Sequence, residues 1–319
     1  MSEVLEDYAL NEKLRKKESL RKVGIVGCGS VGQEIARIVS QSGIDVVFVD
    51  VSEERVNEIF LDINRQLDMI IDRWGLTESE KRAILSRIQG TTDYSKIAEC
   101  NLVMETISSN KPGTSIELRK EVFRKIEENV SPDAVITSNI STLMISDLSS
   151  TLNFPERAVG LHFMIPPTVK VVEVVKGLRT SEEAYDFVCR FAKMIGKKVV
   201  TVNESPGNIS TRLIVTLINE ACEVLMEGVA SIESIDNTMK IGYGLQFGPF
   251  ELADRIGLDK ILKYMDNLYQ EFGLQKFKAS PIIKRLVRAN NLGRKTGKGF
   301  YKYERDTKVS QNITCTEIK

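Results

Sequence analysis

The sequence predicts an α/β fold, a doubly wound sheet followed by an all-helical C-terminal region. Three observations carry this expectation. Short β-branched runs alternate with helix-period segments over the first two thirds of the chain, which is the pattern of a parallel sheet covered on both faces. From Ser205 onward the apolar spacing becomes helical, with no clear strand until GFYKY near the end. The 319 residues exceed what one average core holds, so two domains are expected.

KVGIVG is a β-branched run ending in glycine, and SVGQEIARIVSQSG places Val31, Ile35, Ile38 and Val39 at helical spacing before Gly43 stops it. IDVVFVD reads as a second buried strand and completes a β-α-β unit. Residues 52–92 are helical and highly charged, an excursion from the sheet. Further strands are expected at NLVMET, AVITSN, AVGLHF, KVVEVV and KKVVTV. The helical region reads as 207–227, 232–240, 249–256, 259–272 and 281–290, with Pro249 suited to a helix start. The expected organisation is a charged extension over 1–20, a sheet domain over 21–203 with a helical arm at about 52–92, and a helical domain over 204–319, joined near NESPG.

Composition narrows the function classes. Lys plus Arg and Asp plus Glu number 44 each, so no net basic field draws the chain to nucleic acid or an anionic membrane, and small-molecule partners are expected. The five cysteines are scattered and never form a CxxC pair, which argues against a disulfide framework or a zinc site and for a reducing, cytoplasmic setting. No apolar run reaches the roughly 18 residues of a membrane span, and no export signal is apparent.

GCGSVG matches GxGxxG. The motif needs Gly27 for a tight turn, Gly29 for close approach of backbone to a pyrophosphate, and Gly32 for helix packing on the strand. Here it follows a strand and opens a helix, so Gly27, Cys28, Gly29, Ser30, Val31 and Gly32 are the expected cofactor-binding residues of a Rossmann-type domain. Asp50 ends the next strand, where a carboxylate accepts ribose hydroxyls and repels a 2′-phosphate, favouring NAD over NADP. Cys28 is expected to face the sheet with no redox role.

His162 is the only histidine. It ends the strand AVGLHF, Pro166 and Pro167 force a reversal, and Glu173 returns on the next strand, so the two can face each other. A carboxylate beside an imidazole fixes its tautomer and stabilises the imidazolium, as a general acid–base near neutral pH requires. A buried structural contact is the plainer alternative. Ser141, in TSNIST after a strand, lies where ligands bind in open α/β sheets and can bond a substrate oxygen; simple turn chemistry is the alternative there.

Taken together, GCGSVG with Asp50, SNIST, GLHF followed by VVEVV, ESPGNISTRL, LINEACEVLMEGVAS, GPFELADRIGLD and LGRKTGKGFY resemble the 3-hydroxyacyl-CoA dehydrogenase family, from about Lys22 to Tyr303. The resemblance implies reversible NAD-linked oxidation of an L-3-hydroxyacyl-CoA to the 3-ketoacyl-CoA, and a homodimer formed through the C-terminal domain. It makes His162 the acid–base, Glu173 its orienting carboxylate, Ser141 a contact to substrate and nicotinamide, and Lys295 a cofactor contact. It also implies that the 52–92 arm meets the CoA nucleotide, with Arg65 and Arg73 as basic candidates. Departures are equally specific. HFMIPP replaces HF-x-NP, with Ile165 at the asparagine and one residue fewer before the glutamate. PGNISTRL replaces PGF-x-x-NRL, so Thr211 stands at a substrate-binding asparagine. Ser109 replaces the acid after VMET. The expectation is the same reaction in a changed pocket, serving a short or unusual acyl group. A dehydrogenase of a free hydroxy acid and a non-catalytic NAD-binding scaffold are the alternatives; retention of the acid–base pair argues against the scaffold.

Overall fold

The computed structural model describes residues 20–72, 75–107, 115–304 and 307–311. Ser109, Arg73, Cys315 and nearly all of the 1–20 extension lie outside the described residues. The chain divides into two compact units. One comprises residues up to Asn139, Ile145–His162 and Lys170–Thr201; the other comprises Ile140–Met144, Phe163–Val169 and Val202 onward. The second unit therefore takes in two short segments from the sheet half, 140–144 and 163–169.

The first unit is built on a sheet of eight strands: β1 (Lys22–Val26), β2 (Asp45–Val49), β3 (Ile88–Thr91), β4 (Leu102–Glu105), β5 (Val135–Ser138), β6 (Ala158–Phe163), β7 (Val171–Lys176) and β8 (Lys198–Asn203). Their order is β3-β2-β1-β4-β5-β6-β7-β8, and the pairs from β3 through β6 are parallel. The order reverses direction between β1 and β4, which makes the crevice at their carboxyl ends the topological switch point.

Helix α1 (Ser30–Gln41) follows β1 and buries Ile35, Ala36 and Val39, each fully inaccessible. The larger of these side chains contribute about 1.5–3 kcal/mol apiece by leaving water. Helices α2 (Glu53–Ile71) and α3 (Glu78–Ser86) form the charged excursion. Ser52 caps α2, and Thr77 with Glu80 forms a capping box on α3. The reading of 52–92 as helical is corrected at its end, where Ile88–Thr91 is strand β3. Its sequence, IQGT, carries no apolar run, and pairing with β2 makes it a strand. Gly90 is required there, since an added Cβ would lie 2.4 Å from the Phe48 ring. Helices α4 (Ser115–Asn129), α5 (Ile145–Ser149) and α6 (Glu182–Met194) complete the unit.

The second unit holds α7 (Ser210–Met226), α8 (Ile232–Asn237), α9 (Pro249–Ile256), α10 (Leu258–Phe272) and α11 (Pro281–Arg288) around a core that includes Ile218, Cys222, Phe250, Ile261, Leu268 and Phe300. GFYKY supplies β9 (Tyr301–Glu304), which pairs antiparallel with β10 (Thr307–Gln311), a strand absent from the sequence reading. Two buried aspartates fasten this end. Asp254 accepts from the Phe300 and Tyr301 amides and from the Tyr303 hydroxyl, each at 2.9 Å. Asp236 accepts from the Phe250 and Glu251 amides at 2.9 and 3.0 Å and from the Tyr301 hydroxyl at 2.9 Å.

Burial pushes the Asp254 carboxyl up to about 7, against a usual 3.8. A carboxyl whose pKa is raised by folding contributes stability fully present below its unfolded pKa and lost as pH rises through the folded one, here from about 4 to about 7. Tyr303→Phe removes a donor that matters most to the charged form. It is expected to cost about 1–3 kcal/mol at pH 8 and measurably less at pH 5 in urea denaturation. Equal losses at both pH values would contradict this account of Asp254.

Candidate active site

The loop after β1 is shaped to take a pyrophosphate. Gly27 has φ 81°, and an added Cβ would lie 2.8 Å from the Ile107 Cα across the switch point. An added Cβ on Gly32 would lie 2.7 Å from Thr106 Oγ1 and 3.0 Å from the Gly27 oxygen. Thr106 Oγ1 donates to that same oxygen at 2.5 Å and so closes the turn. Gly29, by contrast, has φ −71° and ψ −167°, an ordinary extended backbone, so what it offers is room rather than an unusual conformation. It precedes α1 without a side-chain cap, and the first turn contains no acid. An anion placed at this helix start would thus meet no carboxylate from the helix's own first turn. Ser30 is exposed, Val31 half-buried and Gly32 buried.

Asp50 sits beside this loop. Its Oδ2 accepts from the Cys28 amide at 2.9 Å and its Oδ1 from the Val51 amide at 2.8 Å. One N–H on each oxygen fixes the carboxylate and leaves lone pairs for ribose hydroxyls. Cys28 is fully buried, and burial, with Asp50 adding to it, raises its thiol pKa well above the ordinary value. A thiol held neutral and inaccessible has no redox reactivity. The glycine cradle, the open helix start and the anchored carboxylate fit a dinucleotide.

A brace at the end of β4 escaped the sequence reading. Glu105 is fully buried, pairs with Arg119 of α4, accepts from the Ser138 hydroxyl, and accepts from the Ile107 amide at 2.7 Å. Arg119 also donates to the Ile107 oxygen at 2.6 Å. This network fixes the Ile107 backbone against which Gly27 packs. A glutamate directly after the apolar residues of NLVMET was the one available sign of it.

The β6–β7 pair carries the acid–base candidates. His162 Nδ1 lies 2.7 Å from Glu173 Oε2, with the residues 7% and 1% exposed. The Cβ that Gly160 lacks would lie 2.7 Å from the Val175 Cβ, so residues 160 and 162 face 175 and 173 respectively. Cross-strand partners that descend as the first strand ascends are antiparallel, which is what the reversal at the prolines predicts. The Ile165–Pro166 bond in that reversal is cis. A carboxylate accepting from Nδ1–H leaves Nε2 of the neutral ring as the free base.

Ser141, Thr211 and Lys295 belong to the second unit. Ser141 is buried, and its carbonyl accepts from the Gly207 amide at 2.7 Å. Next to it, Thr142 Oγ1 accepts from Asn267 of α10 at 2.9 Å. Thr211, in the first turn of α7, is buried. Lys295 pairs with Asp259 at 2.6 Å. The structure thus brings Asp50 to the glycine loop and His162 to Glu173 in one unit, and the Ser141 loop to the turn before α7 in the other. Arg65 lines a cavity of about 610 Å³ beside Ser30, Gln33 and Asp62, and is 3.6 Å from Asp62.

Gly32→Ala tests the cradle. The added methyl displaces Thr106 or the Gly27 carbonyl, so dinucleotide affinity, measured by fluorescence titration with NADH, is expected to fall at least tenfold while the fold persists by circular dichroism. Unchanged affinity would show that this close approach does not shape the site.

Known proteins share this framework. The family model described as 3-hydroxyacyl-CoA dehydrogenase, NAD binding domain, matches residues 22–205, and that for the C-terminal domain matches 207–303. A probable 3-hydroxybutyryl-CoA dehydrogenase of Deinococcus radiodurans is 38% identical over 283 residues, covering 88% of this chain and 100% of that protein. The mitochondrial hydroxyacyl-coenzyme A dehydrogenase of Sus scrofa is 34% identical over 299 residues, covering 91% and 93%. The crystal structure of (S)-3-hydroxybutyryl-CoA dehydrogenase from Ralstonia eutropha matches with a TM-score of 0.80 at 38% identity, covering 90% of this chain and 100% of that one. With both family models matched in order along a chain that carries the glycine cradle, the protein belongs to the 3-hydroxyacyl-CoA dehydrogenase family and is an NAD-dependent oxidoreductase.

Proposed function

We propose that the chain interconverts an L-3-hydroxyacyl-CoA and its 3-ketoacyl-CoA with His162 as the general acid–base. The observation that carries this reading is the buried 2.7 Å contact between His162 Nδ1 and Glu173. Bound NAD supplies the hydride acceptor in oxidation. In that direction His162 Nε2 takes the proton of the substrate hydroxyl, and Glu173, hydrogen-bonded at Nδ1, stabilises the imidazolium that results. In reduction the same nitrogen returns the proton to the oxygen. Burial of both residues strengthens their hydrogen bond, and the carboxylate keeps the ring from rotating.

The cofactor roles follow the cradle: the 27–32 loop holds the pyrophosphate, and Asp50 takes the adenosine ribose. Ser141 and Lys295 are assigned to substrate and nicotinamide contacts. Thr211 and Ile165 mark the altered part of the pocket, and a short or unusual acyl group is the substrate class that such an alteration suits. The relatives named for 3-hydroxybutyryl-CoA support the short-chain end of that class. Association into a homodimer through the helical half is supported by exposed Leu213, Val229, Ile241 and Tyr243. A soluble, cytoplasmic enzyme is the matching setting, and among the described residues no helix is long and apolar enough to cross a membrane.

His162→Gln is expected to lower turnover by roughly two to four orders of magnitude and leave NADH binding nearly intact. Glu173→Gln should also reduce turnover, by removing charge support while keeping a side chain of the same size. Steady-state NADH oxidation with acetoacetyl-CoA checks both, and near-normal turnover in the histidine variant would refute the assignment. Asp50→Ala should weaken NAD and narrow its advantage over NADP in kcat/KM. Comparable use of NADPH by the wild type would contradict the role given to Asp50.

A further inference from the structure

The end of β4 holds a buried charge where apolar packing alone could fill the space. Glu105 is fully buried, and its carboxylate meets three donors: the Arg119 guanidinium, the Ser138 hydroxyl, and the Ile107 amide at 2.7 Å. Taking a carboxylate and a guanidinium out of water is costly, and apolar side chains of similar volume often stabilise a fold as well or better. What the pair supplies that apolar packing does not is direction.

That direction is spent on one residue. The Ile107 amide donates to Glu105 Oε1, and the Ile107 carbonyl accepts from Arg119 Nη2 at 2.6 Å, while Glu105 and Arg119 pair with each other. Ile107 lies two positions beyond the last residue of β4, so its backbone is held by side chains where the strand ladder has ended. The clamped residue is the wall of the glycine loop. An added Cβ on Gly27 would lie 2.4 Å from Ile107 Cγ2 and 2.8 Å from its Cα. Between the two, the Thr106 amide donates to the Val26 oxygen at 2.9 Å, and its hydroxyl donates to the Gly27 oxygen at 2.5 Å. Residues 105–107 thus anchor, bond and pack against the loop in succession, all within the first unit. Groups that present fixed donors to a bound molecule lose affinity when the structure behind them loosens.

We propose that Glu105 and Arg119 are positioning residues for the dinucleotide: by clamping Ile107 they set the shape of the 27–32 loop, and through it the affinity for NAD and NADH. The role requires no contact between either side chain and the cofactor. The inference rests on the reading of that loop as the pyrophosphate cradle, which Gly32→Ala tests separately.

Two variants test the clamp. Arg119→Lys keeps a positive charge opposite Glu105 but replaces the planar fork that spans Glu105 and the Ile107 carbonyl with a point charge. Glu105→Gln combined with Arg119→Met removes both charges, so that neither is left buried alone. NADH affinity in fluorescence titration is expected to fall about three- to tenfold in the first and at least about tenfold in the second. In steady state with acetoacetyl-CoA, KM for NADH should rise to match, while kcat and KM for acetoacetyl-CoA stay within about twofold of wild type, because His162 and Glu173 are untouched. A general loosening of the fold would move all three together. NADH affinity within about twofold of wild type in both variants, kcat or the acetoacetyl-CoA KM deteriorating in step with it, or loss of the fold by circular dichroism in Arg119→Lys would each overturn the proposal. Gly32→Ala separates the two failures. If it also leaves NADH affinity unchanged, the loop reading fails; if it weakens binding and the clamp variants do not, the inference alone fails.

Discussion

The chemistry proposed for this chain depends on one hydrogen bond, between His162 and Glu173. Its 2.7 Å geometry follows from strand register: β6 and β7 run so that 160 meets 175 and 162 meets 173. A slip of one residue would turn both side chains to the other face of the sheet. The glycine at 160, whose added Cβ would strike Val175, and the proline reversal at 166–167 belong to the same constraint. The pair helps both side chains to be buried, since each supplies the other with a polar partner.

The cofactor side depends on a second constraint, the close approach of two strand ends at the switch point. Gly27 and Gly32 are glycines because Ile107 and Thr106, at the end of β4, occupy the space a side chain would need. The Glu105–Arg119–Ser138 network holds that strand end in place. Asp50 then anchors to the same loop through the Cys28 amide. Glycine loop, Asp50 carboxylate and brace thus form one connected structure, and the buried Cys28 thiol contributes packing to it.

What was legible in the sequence was whatever local pattern dictates. The β1–loop–α1 unit combines a β-branched run, spaced glycines and a helical apolar stripe, and each of these points to the same structure. The facing of His162 and Glu173 could be read from their placement about Pro166 and Pro167. Long-range interactions left weaker traces. Strand β3, IQGT, exists because β2 offers it hydrogen bonds, and β10, TKVSQ, because β9 does. Glu105 and Arg119 meet across a strand and a helix, with nothing periodic linking them.

Because His162 is the only histidine, its ring nitrogens give unambiguous signals in a nitrogen-15 NMR spectrum of the whole protein. The role proposed for His162 requires that the neutral ring carry its proton on Nδ1, facing Glu173, and present Nε2 unprotonated. Long-range proton–nitrogen correlation at alkaline pH is expected to show that tautomer, with Nδ1 displaced toward the protonated range and the pattern lost in Glu173→Gln. A neutral ring protonated on Nε2, or a spectrum indifferent to Glu173→Gln, would contradict the claim that this carboxylate sets up the acid–base.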